Sequence, residues 1–306
     1  MYSSVITSFA AAALLTVASA RLDKPVIKPP FPNGGLGSLG PDLMSSLPIA
    51  AHTTSNWDPT YLPRDCKRLA QSAGFSPLDV DAFNIVFDDC KQQPWVFCRH
   101  KDAPLSKSNM TELFGRLPVR MRQYIRHIIA LPGQRSAGSA GDNIQINGDC
   151  EITVFIHETG HSLDSHAFDP KHGVPFSSSP VWKDAYDKDT AVTDDYAQTS
   201  QQENFAQETV VAVYDKNVNK GGGGGGGIGK IQPNAQAIRN AYTTLEKYIG
   251  DIIIPGGECT HRLENSPAVP KVDSARTRLV AKSEPVGEGL TRIEPIPMGP
   301  ITLARY

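Results

Sequence analysis

The sequence has no basic excess, no internal repeat, no C-x-x-C pair and, beyond its first twenty residues, no apolar run long enough to cross a bilayer. Each absence removes a class of function. The 30 Lys and Arg stand against 32 Asp and Glu, a formal net charge of −2 in 306 residues. That balance argues against a nucleic-acid binder, whose surface needs an excess of cations. A membrane span takes roughly 20 apolar residues, so no membrane attachment is expected. The five cysteines, Cys66, Cys90, Cys98, Cys150 and Cys259, offer no zinc-ribbon spacing.

What is present begins with a leader. Residues 1–20 carry no acid and no base, and their apolar stretch ends in Ala18-Ser19-Ala20 before Arg21. This A-x-A pattern reads as a secretory signal peptide, removed after Ala20, so the protein is expected to be extracellular. In an oxidising compartment the cysteines should form two bridges and leave one thiol, with the connectivity open. Asn109-Met110-Thr111 is an N-glycosylation sequon.

Residues 21–57 are rich in Pro, Gly and Ser and read as extended or mobile, a pro-segment or a surface strap. A catalytic-sized domain is expected over 58–262. Within it, residues 65–73 suggest a short helix and 82–87 and 95–98 short strands. Apolar residues at helical spacing over 111–131 (Leu117, Met121, Tyr124, Ile125, Ile128, Ile129) suggest a helix with Pro118 near its start, stopped by Pro132-Gly133. Residues 143–147 alternate as a strand. Helices are expected over 151–161, 201–215 and 233–248, the last followed by Gly250. The glycine-rich segment 221–229 reads as a flexible loop. Residues 263–306, without periodicity, read as a disordered tail.

The chemical signal is His157-Glu158-Thr159-Gly160-His161, which fits H-E-x-x-H. Four residues exceed one helical turn slightly, so both imidazoles project from one face and can share one Zn²⁺ per chain. Glu158 is placed to act as the base towards a water the metal activates. A third ligand is required. The metzincin extension fails: Asp164 and Ala167 stand where its Gly and His belong, with His166 out of register. Thr193-Asp194-Asp195-Tyr196 echoes an aspartate-ligand pattern but lacks its Gly. Glu203, 42 residues beyond His161 (203 − 161) on a second helix, completes a His, His, Glu set. Glu208 is the rival, but it lies about 140° around that helix from Glu203. Tyr196 is suited to donate to the oxyanion of a tetrahedral intermediate. Asp164, one turn beyond His161, is a candidate to orient a ligand histidine. His166 and His172 read as surface histidines.

H-E-x-G-H, then Tyr, six residues, and E-x-F-A at Glu203–Ala206, resembles the anthrax lethal factor-like and Pro-Pro endopeptidase-like zinc peptidases. The resemblance covers roughly residues 150–215. It implies metal ligands His157, His161 and Glu203 with Glu158 and Tyr196 catalytic. Gln207 stands where that group has a Glu behind the ligands; it can still hydrogen-bond a ligand histidine but adds no charge. The signal peptide, the Arg21-Leu22-Asp23-Lys24-Pro25 start and HETGH also resemble the secreted fungal conidiation-specific proteins of the protein-thirteen type. The expectation is an α+β, zincin-like domain, a small sheet packed on helices over an active-site helix, in a monomeric peptidase acting on peptides or proteins. Residues 143–147 are the expected substrate-binding edge. The competing expectation is a secreted, non-catalytic spore or cell-surface protein on a retired zincin fold.

Overall fold

The computed structural model describes residues 21–218, 227–272 and 289–306. The expected signal peptide and residues 221–226 of the glycine run lie outside them. In chain order the strands are β1 (His52–Asn56), β2 (Tyr61–Pro63), β3 (Val80–Phe87), β4 (Cys90–His100), β5 (His127–Leu131), β6 (Ser136–Ala140), β7 (Asn143–Asn147), β8 (His261–Leu263), β9 (Ala268–Pro270) and β10 (Thr291–Ile293). The α-helices are α1 (Gly40–Ser46), α2 (Arg64–Ser72), α3 (Lys107–Arg116), α4 (Val119–Arg122), α5 (Ile152–His166), α6 (Pro180–Lys188), α7 (Gln201–Asn217) and α8 (Arg239–Ile249).

Six strands form one sheet in the order β1-β3-β4-β5-β7-β6. The β4–β5 and β5–β7 pairs are parallel and the others antiparallel. Period-two alternation divides its side chains between two cores. Phe83, Ile85, Trp95, Phe97 and Ile128 join the large core shared with α3, α5 and α7. Val80, Ala82, Val96, Cys98, Ile129 and Leu131 face α2, which contributes Cys66, Leu69 and Ala70. The protein is therefore α+β, a mixed sheet packed on helices. Disulfides Cys66–Cys98 and Cys90–Cys259 tie α2 to β4 and the start of β4 to the segment before β8. Cys150 keeps the free thiol, and burial pushes its pKa up. Two bridges and one thiol is the count the sequence suggests. Asn109 is exposed on α3.

Six expectations change. The helix expected over 111–131 is α3, α4 and then the strand β5. Every residue of β5 is buried between two parallel neighbours, so its apolar run fills both faces and mimics a helical one. Strand β7 is interior; β6 forms the edge on that side. Residues 21–57 are no mobile appendage, because Ile27, Phe31, Leu36, Leu39, Leu43 and Leu47 are buried in the main core, and Asp42 accepts a hydrogen bond from Tyr214 Oη on α7 at 2.6 Å. Residues 263–272 and 289–306 are not disordered: β9 pairs with β2, β10 with β8, and Ala304 with Ala137 on β6. In the expected loop 221–229, Ile228 is buried at the start of a 3-10 turn. The last helix starts later than expected, at Arg239 after a 3-10 turn. No helix among the described residues is long and apolar enough to cross a membrane.

Leu43 is fully buried in the strap. Leu43→Ala should lower unfolding stability by about 2–5 kcal/mol, the usual cost of a core leucine, in urea titration. An unchanged midpoint would contradict an integral strap.

Candidate metal centre

The site forms where α5 crosses α7. Residues Ile152 to Gly160 of α5 are all buried. At the crossing, a Cβ built on Gly160 would stand 3.1 Å from Ala206 Cα and 3.3 Å from Thr209 Oγ1. A larger residue here would press on Ala206 and Thr209, which would have to give by a few tenths of an ångström. The start of α7 is fixed by Ser200, whose Oγ accepts the Glu203 backbone N–H at 3.1 Å. Ser200-x-x-Glu203 has the form of a capping box, in which the Glu returns to the cap. Here the carboxylate turns to α5 instead.

Glu203 Oε2 lies 3.1 Å from His157 Nε2 and 3.3 Å from His161 Nε2. Among the described residues, His157, Glu158 and His161 also present ligand-type atoms within 4.8 Å of one another. Which acid joins the histidines is decided by orientation. Glu203 touches both Nε2 atoms, while Glu158 Oε1 accepts a hydrogen bond from Tyr306 Oη at 2.8 Å. Burial would raise the Glu203 carboxyl, but the two imidazoles outweigh it and hold it well below the ordinary range. Burial raises Glu158 despite the neighbouring histidines. Among the described residues its buried Oε2 has no hydrogen-bond partner.

Gln207 supplies a link that the sequence resemblance leaves open. Its Oε1 accepts from His157 Nδ1 at 2.9 Å, and its Nε2 donates to Asp194 Oδ2. With Nδ1 held by Gln207, a neutral His157 bound to a metal would offer it the Nε2 lone pair, the tautomer a metal ligand needs. Asp194 is buried, and burial raises its carboxyl despite the Ala197 N–H and the nearby His157. The carboxyl group missing at Gln207 thus stands one residue further back. Asp194 belongs to the Thr193-Asp194-Asp195-Tyr196 stretch, and its carboxyl meets the Gln207 amide.

The Tyr196 ring centroid lies 5.5 Å from that of His157. Burial, then Glu203 and Glu158, push its phenol well up, so it stays a proton donor. Asp164 does not orient a ligand histidine. Its two oxygens accept from Ser177 N and Ser177 Oγ, both at 2.6 Å, which pins α5 to the turn at Phe176–Ser178. Glu208 is buried and faces Asp189 and Asp194, with its pKa raised well above normal by burial first. His166 pairs with Asp142 at 3.0 Å, and His172 packs edge-on to Tyr248. Tyr306 is the residue sequence reasoning missed, because it lies in a segment without periodicity.

Two cavities flank these side chains. One, of about 580 Å³, is lined by strap residues around Leu36, by Arg135 and Glu151, and by Tyr196 and Tyr306. The other, of about 420 Å³, is lined by β6, Glu158, His161, Tyr196 and Glu203, and by residues Ile296 to Thr302.

A family model described as conidiation-specific protein Con-13 matches residues 34–221, a span that holds His157, Glu158, His161, Asp194, Tyr196, Glu203 and Gln207. Conidiation-specific protein 13 of Neurospora crassa is 34% identical over 190 residues, covering 61% of this chain and 53% of the relative. The chain therefore spans about half the length of that curated relative. No solved structure matches.

Gly160→Val should cost about 1–3 kcal/mol by overpacking the α5–α7 crossing, read as a lowered urea midpoint. Wild-type stability in this variant would contradict the close approach.

Proposed function

The chain belongs to the conidiation-specific protein Con-13 family, and we propose that it is a secreted, zinc-dependent metalloendopeptidase with a zincin-like catalytic domain. The observation that carries this reading is the Glu203 carboxylate set against both Nε2 atoms of the HExxH histidines. Tetrahedral zinc with ligand bonds of about 2.0–2.2 Å keeps its ligand atoms about 3.3–3.5 Å apart. The separation of 3.3 Å meets that spacing and that of 3.1 Å falls just short of it, and the donor set of two imidazoles and one carboxylate suits zinc. His157, His161 and Glu203 would hold the ion, with Gln207 and Asp194 behind His157. Bound there, zinc would act as a Lewis acid and bring the pKa of a water into the neutral range.

The remaining chemistry belongs to the chain. Glu158, buried and with Oε2 unpartnered, takes the proton of the attacking water and returns it to the departing amine. Its raised pKa suits a group that must hold a proton between the two steps. Tyr196 donates its phenolic proton to the oxyanion as the carbonyl becomes tetrahedral. The two cavities on either side give an extended peptide room to run in both directions, which suits internal cleavage. Two disulfides support the extracellular location.

The test is cleavage of a diverse peptide library by the full chain beside Glu158→Gln, with bound zinc measured in both. The substitution should lower cleavage by about 10²–10⁴-fold and leave zinc content unchanged. Equal cleavage by both would refute the role of Glu158. Zinc binding without any cleavage would favour a non-catalytic surface protein of the spore or cell.

A further inference from the structure

The segment 296–306 follows a path that a bound peptide would take. Ala304 forms an antiparallel bridge with Ala137 on the edge strand β6, with Ala137 N donating to Ala304 O at 2.9 Å and Ala304 N to Ala137 O at 2.6 Å. Ahead of it, Ile296 N donates to Asp142 Oδ2 at 2.8 Å, and Arg68 Nη2 donates to Met298 O at 3.1 Å. Close passage is permitted by glycine. A Cβ on Gly138 would meet Thr302 O at 2.3 Å, and one on Gly141, at φ +57°, would meet Met298 Cα at 2.9 Å.

In an extended chain, side chains two residues apart point the same way, and Tyr306 is two residues beyond the bridged Ala304. Its hydroxyl donates to Glu158 Oε1 at 2.8 Å. Its ring stands edge-on to His157 at 5.7 Å and lies 6.1 Å from the Tyr196 ring. Residues Ile296 to Thr302 line one cavity, whereas Arg305 and Tyr306 line the other. The segment therefore crosses the catalytic side chains from one cavity to the other. It pairs the backbone of Ala137 on the edge strand and engages one oxygen of the Glu158 carboxylate.

We propose that residues 296–306 act as an intramolecular competitor, filling the groove in which the protein takes an extended peptide as an added antiparallel strand on β6. This rests on the peptidase reading. The occupant also describes the ligand: an extended segment whose backbone pairs with Ala137, with an aromatic side chain two residues on reaching the catalytic carboxylate. Displacement of the segment opens the site, and a peptide of the same sequence supplied in trans competes with substrate.

The test uses the full chain. Tyr306→Ala and Ala304→Pro each remove one anchor, and Tyr306→Phe removes only the hydroxyl. If the docked form holds nine-tenths or more of the molecules, release raises cleavage by about tenfold or more. Tyr306→Ala combined with Glu158→Gln should abolish that gain. A labelled peptide of residues 296–306 should bind Ala304→Pro by fluorescence anisotropy and wild type far more weakly, and should raise KM without changing kcat. Active wild type with equal rates in all variants and no peptide binding would overturn the competitor while leaving the peptidase reading intact. No cleavage by any form, with zinc bound, would overturn both.

Discussion

The close crossing of α5 and α7 is the constraint on which the site depends. Gly160 lets two buried helices approach closely, where an added Cβ would press on Ala206 and Thr209. That approach places Glu203, in the first turn of α7, against two imidazoles one turn apart on α5. The crossing in turn relies on the large core, where Phe155, Phe205, Val210 and Val211 are fully buried and the strap packs through Leu39 and Leu43. Burial of this apolar surface positions the polar groups. The polar groups, brought out of water, acquire the shifted proton affinities that their proposed chemistry uses.

Within that frame, charge is distributed in layers. Glu203 is the carboxylate in contact with the histidines, Gln207 is a neutral link and Asp194 is the carboxyl behind it. Placing an amide between His157 and Asp194 keeps the imidazole in one tautomer without a second carboxylate adjoining the first. Glu158 is kept apart from this set, with one oxygen engaged by Tyr306 and the other free. Two carboxylates near one pair of histidines thus have different environments, and pairing lowers one while burial raises the other.

The parts legible in sequence were those written in local spacing. His157, Glu158 and His161 declare themselves because i and i+4 share a helix face. Glu203 and Gln207 follow because the E-x-F-A pattern lies on a second helix that is itself legible. The strap was misjudged because its Leu36, Leu39, Leu43 and Leu47, at helical spacing, are diluted among Gly and Pro. Strand β5 was misjudged because burial on both faces erases the alternation that marks a strand. Residues 296–306 left no trace in composition, since their backbone is held by one bridge to Ala137 and by the side chains of Asp142 and Arg68, contacts that many extended sequences can accept. The role of Asp194 could not be read either, because it depends on a contact with Gln207 set by the fold.

The most direct test of the central claim is zinc K-edge absorption spectroscopy on the purified full chain, beside Glu203→Ala. The account predicts one zinc per chain in a nitrogen and oxygen shell with two imidazoles, altered and weakened when Glu203 is removed. A chain that takes up no zinc, or whose zinc shell is unchanged without Glu203, would contradict it.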